Sequence, residues 1–334
     1  MARDGPAGPW RGVTTARDPA FVARLRTLVR GEVREAEPLG RYSTYRIGGP
    51  STVLIPQGPE DVCTALRTAT EQGVAWFALG LGSNLLLPDE GLEALVIRLG
   101  KGLDRLEHLA GGRWRAGAGL PQPLAARRTS EAGYAGLHRF VGVPGTVGGG
   151  VYMNAGCHGG DWAGVVASVT VTNARGETRV LARNEVPFAY RRSGLDGHIV
   201  LETVVQLEET DPSKIQDEVA ELFRWRQEGT PFNQPCCGSV FKNPDGPSWQ
   251  RSDGPRTAGQ LLEAAGLKGT RVGGAEVSGM HANYFVNTGG ATAADVRRLI
   301  AQAREAVQRQ FGVALETEVK IVRPDGTFEP SFAG

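Results

Sequence analysis

The chain has 334 residues, 40% of them hydrophobic and 22% charged, with a formal net charge of +1. That length allows two or three packed units, and the even charge balance excludes the broad basic field a nucleic-acid binder needs. No apolar run approaches the roughly 18–20 residues of a membrane span, and Cys63, Cys157, Cys236 and Cys237 lack the spacing of a zinc or disulfide framework, as expected of reduced thiols in the cytoplasm.

Residues 1–20 begin with a stretch rich in Gly, Pro and Arg, without a hydrophobic signal core, and read as an N-terminal extension. Apolar spacing then predicts a helix over 21–29 and a strand over 52–55. Pro59 opens a helix with Val62, Leu66 and Ala69 on one side, closed by Gly73. Strands at 76–79 and 85–87 bracket a glycine turn, Gly80-Leu81-Gly82-Ser83-Asn84. Further strands at 95–99 and 113–116 precede a Pro-initiated helix from Pro121 toward Ala132.

Residues 142–160 hold eight glycines in nineteen positions. Glycine on that scale sacrifices conformational entropy, and the usual gain is a backbone that turns through positive φ and brings N–H groups against an anion, most often phosphate. Val143, Val147, Val151, Tyr152 and Met153 would be wasted in a flexible linker. The glycines at 142, 145 and 148 do not follow G-x-G-x-x-G, and no clear amphipathic helix is predicted after them, so this is not a Rossmann turn. Two strand-flanked glycine turns carrying Ser, Thr and Asn suit the pyrophosphate of a dinucleotide such as FAD, bound outside a Rossmann fold.

Segments 165–172 and 178–181 flank Asn173-Ala174-Arg175-Gly176 as a hairpin, and 199–207 is a further strand. Asp211-Pro212-Ser213 breaks the pattern before a helix through Ile215, Val219, Leu222 and Phe223, and a domain boundary is placed there. The last third reads as α+β: a short helix over 257–265, a strand over 282–287, and a helix capped by Thr292 with Val296, Leu299, Ile300, Ala303 and Val307 inward. A closing strand over 315–322 puts Glu316 and Glu318 on one face and Thr317 and Val319 on the other.

Five motifs occur in one family's order. Tyr45-Arg46-Ile47-Gly48-Gly49-Pro50, Gly80 to Asn84, and Gly142-Val143-Pro144-Gly145-Thr146-Val147-Gly148-Gly149 closely resemble the flavin domain of UDP-N-acetylenolpyruvoylglucosamine reductases. The resemblance continues through Tyr190-Arg191, Gly238-Ser239-Val240-Phe241-Lys242-Asn243-Pro244 and Leu315-Glu316-Thr317-Glu318-Val319, and covers about residues 38–322. It implies an α+β chain whose two-lobed FAD-binding domain is of the non-Rossmann, vanillyl-alcohol-oxidase-like type. The expected division is a FAD-binding domain at 21–209, with lobes at 21–79 and 80–209, a substrate domain at 210–325 and a tail at 326–334.

The resemblance also implies chemistry: non-covalent FAD, NADPH as co-substrate, and reduction of an enolpyruvyl UDP-sugar to UDP-N-acetylmuramate for peptidoglycan. The family's cofactor positions match Gly80, Gly82, Ser83, Asn84, Gly142, Gly145, Thr146, Gly148, Gly149 and Asn154. Its catalytic positions match Arg191 at the substrate carboxylate, Ser239 as proton donor, and Glu318 beside the same carboxylate. Tyr190, Lys242, Asn243 and His281 match substrate-binding positions. No metal is expected, nor an obligate protein partner. The chain departs from the family's pattern at Cys157-His158-Gly159 and at Pro235-Cys236-Cys237, both beside the expected site. The short spacing from Arg191 to Ser239 resembles the subclass lacking a tyrosine-bearing loop over the substrate. Two competing expectations are a flavoprotein oxidase or dehydrogenase on the same FAD domain, for which Ser239 and Glu318 have no reason to recur, and a nucleotide-sugar binder that has lost its flavin.

Overall fold

A computed structural model describes residues 15–244 and 257–331; most of the expected N-terminal extension lies outside the described residues. The first unit comprises α1 (Pro19–Leu28), β1 (Glu32–Pro38), β2 (Pro50–Ile55), α2 (Pro59–Glu71), β3 (Trp76–Leu79), β4 (Leu85–Leu86) and β5 (Leu95–Arg98). Asp18 caps α1 by accepting the Ala20 and Phe21 N–H groups, and Pro59 opens α2. Its sheet has the order β1-β2-β5-β3, with β1 antiparallel to β2 and the other pairs parallel. Strand alternation divides the apolar residues between two faces. Leu54, Leu95 and Ile97 meet Leu25, Val62 and Leu66 of the helices, while Val53, Phe77, Leu79 and Val96 pack on Leu39 and Val322.

The second unit contains β6 (Leu106–His108), β7 (Arg113–Gly117), α3 (Gln122–Glu131), β8 (Tyr134–Ala135), α4 (Val147–Tyr152), β9 (Gly156–Cys157), β10 (Gly160–Asp161), β11 (Val166–Asn173), β12 (Thr178–Ala182), β13 (His198–Gln206) and β14 (Glu208–Glu209). Five of these strands form an antiparallel sheet in the order β12-β11-β13-β7-β6, with α3 and α4 against it. The hairpin expected around Asn173 to Gly176 is β11–β12.

The chain also forms a helix where the apolar pattern predicts none. Helix α4 is six residues long and includes Gly148, Gly149 and Gly150, too short and too glycine-rich to give an amphipathic signal. Thr146 caps it, its Oγ1 accepting the Gly149 N–H at 3.3 Å. Close packing supplies what propensity does not. A Cβ on Gly150 would lie 2.3 Å from Trp162 Nε1, and one on Gly148 2.8 Å from Ala118 Cβ.

The third unit holds α5 (Pro212–Gly229), β15 (Cys236–Ser239), α6 (Ala258–Ala264), β16 (Arg271–Val272), β17 (Ala275–Val277), β18 (Tyr284–Asn287), α7 (Ala293–Phe311) and β19 (Lys320–Ile321). Its sheet, β15-β18-β17-β16, is covered by α7, whose Val296, Leu299, Ile300, Ala303 and Val307 are all buried. Helix α5 leans back on α3 of the second unit and buries only Ile215.

The closing stretch differs from the single strand its pattern predicts. Residues 315–319 alternate buried and half-buried, but ladder pairing is confined to β19, parallel to β4. The reason is a change of partner: the Glu318 N–H donates to Val240 O at 2.8 Å, the Lys320 N–H to Asn84 O at 2.9 Å and the Val322 N–H to Leu86 O at 3.0 Å. The segment leaves the third unit and ends in the core of the first. Asp89 of the first unit returns the connection by accepting the Ala293 N–H at the start of α7, at 2.8 Å.

Substituting Gly150→Ala therefore tests whether packing makes α4. Overpacking against the fully buried Trp162 is expected to cost about 1–3 kcal/mol in urea denaturation; an unchanged midpoint contradicts it.

Candidate active site

The three units meet around a cavity of about 430 Å³, within the usual range for ligand sites. Both glycine turns line it through Gly80, Gly82, Ser83, Asn84, Gly145, Thr146, Gly148 and Gly149. The turns are locked to each other by the Ser83 hydroxyl, which donates to Pro144 O at 3.1 Å, as does Gln122 Nε2 at 3.1 Å. Their approach requires bare backbone: a Cβ on Gly80 would lie 2.7 Å from Thr146 Oγ1. On Gly149 it would meet only Thr146 Oγ1, at 3.5 Å. Gly142 does not line the cavity; its carbonyl accepts a hydrogen bond from Arg226 Nη2 on α5, at 3.2 Å.

The same cavity is lined by Arg191, Ser239 and Glu318. Arg191 Nε donates to Glu318 Oε1 at 2.7 Å, and its Nη2 donates to Gly156 O at 3.2 Å. The backbone of Arg191 has φ 56°, at the tip of a tight turn in which Ala189 and Arg192 exchange two hydrogen bonds of 2.8 and 3.0 Å. Such a conformation in a non-glycine residue is strained and persists only where its surroundings impose it. Asn154, expected at the cofactor, imposes it here: its Nδ2 donates to Ala189 O at 3.0 Å and to Asp161 at 3.1 Å, and its Oδ1 accepts the Ala163 N–H at 2.9 Å. The Asn154 side chain is thus engaged in holding the turn that carries Arg191.

Glu318 is anchored at the first glycine turn, where Asn84 Nδ2 donates to its carbonyl at 3.2 Å. Burial pushes its carboxyl above the ordinary value, and Arg191 partly opposes that rise. Ser239 ends β15 opposite Tyr284, after an irregularity in register across Cys237 and Gly238. Gly238 has φ 70° and open space where a Cβ would be, the mark of a kinked strand that re-aims the next side chain. The Ser239 hydroxyl has no hydrogen-bond partner among the described residues.

The four expected substrate contacts lie outside the lining of this cavity. Lys242 is paired with Glu316, Asn243 Oδ1 accepts the Ala258 N–H at the start of α6, and His281 Nδ1 accepts the Asn283 N–H at 3.1 Å. Tyr190 is half-exposed, with the Arg191 guanidinium 4.9 Å from its ring centre. The lining residues that sequence reading passed over include Arg226, Tyr284 and Lys320. Of these, Lys320 carried a signal, since it shares a strand face with Glu318 two residues away.

Residues 50–182 match the FAD binding domain, and residues 230–322 match the C-terminal domain of UDP-N-acetylenolpyruvoylglucosamine reductase. The reductase of that name from Halalkalibacterium halodurans is 42% identical over 306 residues, 90% of this chain and 98% of its own length. The chain belongs to the UDP-N-acetylenolpyruvoylglucosamine reductase family. Another member, from Symbiobacterium thermophilum, is 42% identical over 312 residues, covering 92% of this chain and 98% of the relative. The crystal structure of the reductase from Thermus caldophilus superposes with a TM-score of 0.74 at 35% identity, over 87% of this chain and 99% of that one. As a family member it is an FAD-dependent oxidoreductase, and its α+β architecture is the family's. The cavity is mostly apolar and lined by both glycine turns as well as by Arg191 and Ser239, a donor set that suits FAD.

The departures at cysteine have a structural account. Cys237 is buried, its thiol donates to Leu85 O at 3.1 Å, and burial pushes its pKa up to about 12. Alkylation of the folded protein at neutral pH is therefore expected to spare Cys237 until the chain unfolds. Peptide mapping that finds Cys237 modified as fast as Cys157 or Cys236 contradicts this.

Proposed function

We propose that the protein catalyses the NADPH-dependent reduction of UDP-N-acetylglucosamine enolpyruvate to UDP-N-acetylmuramate in the cytoplasm, as a step in making peptidoglycan precursors. The observation that carries this reading is the Arg191–Glu318 pair lining one cavity with Ser239 and both glycine turns. Bound FAD supplies the relay of hydride from NADPH to the β-carbon of the enolpyruvyl ether. What the chain must supply is a grip on the carboxylate, a counter-charge as electrons accumulate beside it, and a proton for the α-carbon.

Arg191 provides the grip and the counter-charge. Its planar fork suits a carboxylate, and its charge is fixed. A substrate carboxylate at Arg191 stands next to Glu318, and two anions on one guanidinium are unfavourable. Burial already favours the protonated Glu318 carboxyl, so substrate binding completes a shift the fold has begun. A neutral Glu318 can then donate a hydrogen bond where charge develops. Ser239 gives its proton to the α-carbon, forming the new C–H bond, and solvent returns a proton to the serine oxygen. A hydroxyl is a weak acid, but it suffices here because the acceptor is a strongly basic carbon whose charge Arg191 restrains.

Residues 210–325 are proposed as the substrate-binding unit, following the FAD-binding residues 21–209. Lys242, Asn243, His281 and Tyr190 are proposed to meet the diphosphate and sugar, beyond the reacting end. The spacing from Arg191 to Ser239 supports the subclass without a covering tyrosine loop.

Ser239 should matter for protonation of substrate and hardly at all for flavin reduction by NADPH, which needs stacking and orientation only. In anaerobic stopped flow, Ser239→Ala is expected to bleach with NADPH at close to the native rate. Reoxidation by the enolpyruvyl sugar is then expected to slow by about 10²–10⁴-fold. Equal slowing of both steps would show that the serine places the flavin, and would sink its assignment as proton donor.

A further inference from the structure

Gly326 and Phe328 line the cavity along with both glycine turns, although both lie past residue 322, where the match to the reductase C-terminal domain stops. At the start of the expected tail the chain folds back as a hairpin around Pro324-Asp325-Gly326. The Arg323 N–H donates to Thr327 O at 2.8 Å and the Gly326 N–H to Arg323 O at 2.9 Å, with Gly326 supplying the φ of 85° that the turn requires. Asp325 Oδ1 accepts the Thr327 N–H at 2.8 Å and the Thr327 hydroxyl at 2.7 Å. Beyond the turn Phe328 stands opposite Val322 in an antiparallel bridge, and the Glu329 N–H donates to Ile321 O at 2.8 Å.

The hairpin is tied to its surroundings at several points. Pro324 O accepts the Glu93 N–H of the first unit at 2.9 Å, Glu329 pairs with Arg297 of α7, and Ser331 O accepts the Thr317 N–H at 3.2 Å. Phe328 is therefore held in place by the backbone on both sides of it. Its ring meets Phe77 of the edge strand β3 edge to face, with ring centres 5.9 Å apart, and Phe77 and Trp76 line the cavity as well. Phe328 nonetheless stays 37% exposed. A single exposed phenylalanine on a protein surface is ordinary. One that is fixed by its backbone, seated on a second aromatic ring and part of a ligand cavity offers its uncovered surface to a flat heteroaromatic ring.

We propose that Phe328 is a cofactor-binding residue, packing against one of the two flat rings of FAD, and that the hairpin carrying it is a strap that retains the cofactor. The inference rests on the reading of this cavity as the FAD site. Adenine and isoalloxazine share the chemistry that a phenyl ring recognises, and the experiment tells them apart. Because the hairpin is already fixed by its own hydrogen bonds and by Glu93 and Arg297, the contact is made without ordering a loose segment when FAD binds.

The test is the release of FAD from the diluted holoenzyme, followed as the rise of free-flavin fluorescence, which needs no turnover. Phe328→Leu keeps an apolar contact with Phe77 but loses the flat face, and is expected to release FAD at least about fivefold faster than the wild type. Phe328→Tyr is expected to release it at close to the wild-type rate, and both variants are expected to melt with the wild type at saturating FAD. The absorption spectrum of the bound flavin in Phe328→Leu then names the ring: a shifted spectrum assigns the contact to isoalloxazine, an unshifted one to adenine, and either supports the proposal. Release from Phe328→Leu at the wild-type rate overturns it. Equally fast release from both variants, with both melting early, also overturns it, by making the ring a packing element of the hairpin. A wild-type protein that binds no FAD fails the reading of the site itself, which is a different result.

Discussion

The ion pair between Arg191 and Glu318 joins two residues 127 positions apart and closes the second unit against the third within the cavity. Both side chains are mostly buried, so neither charge is comfortable without the other. The cost of the pair is visible on both sides of it. Arg191 sits in a left-handed backbone conformation that a tight turn and the Asn154 amide enforce, and Glu318 is held by burial above the usual carboxylate range. Strain and desolvation placed together in a cavity are what a binding site for an anion looks like before the anion arrives.

The rest of the architecture serves that arrangement. Two glycine turns from different units interlock through Ser83 and Pro144, which fixes one wall. The closing segment carries Glu318 and Lys320 past Asn84 and pairs with β4, which fixes the other wall to the same turn. The cofactor turns and the catalytic carboxylate are therefore built on neighbouring backbone, and a shift in one moves the other. Shared positioning of this kind suits a reaction in which electrons pass through the cofactor while a proton comes from the chain.

Much of this was legible in the sequence, for identifiable reasons. The apolar face of α7 and the strands around the first glycine turn follow from periodicity, because single faces of those elements are buried. Helix α4 was not legible: glycine-rich and six residues long, it exists through contacts with Ala118, Gln122 and Trp162 that no local pattern encodes. The stretch 315–322 reads as one strand because its alternation is real, yet the backbone changes partner midway. Motif order brought Arg191, Ser239 and Glu318 together, but the architectural use of the Asn154 side chain depends on neighbours far away in the chain.

The central claim is that Arg191 and Glu318 act as one unit on the substrate carboxylate. A double-mutant cycle tests it directly, with Arg191→Ala, Glu318→Gln and the pair, followed as reoxidation of prereduced enzyme by saturating enolpyruvyl sugar without oxygen. The account predicts strong non-additivity, with a coupling of at least about 1.4 kcal/mol and a double variant little slower than the worse single one. Losses that simply multiply would show two independent residues, and would contradict it.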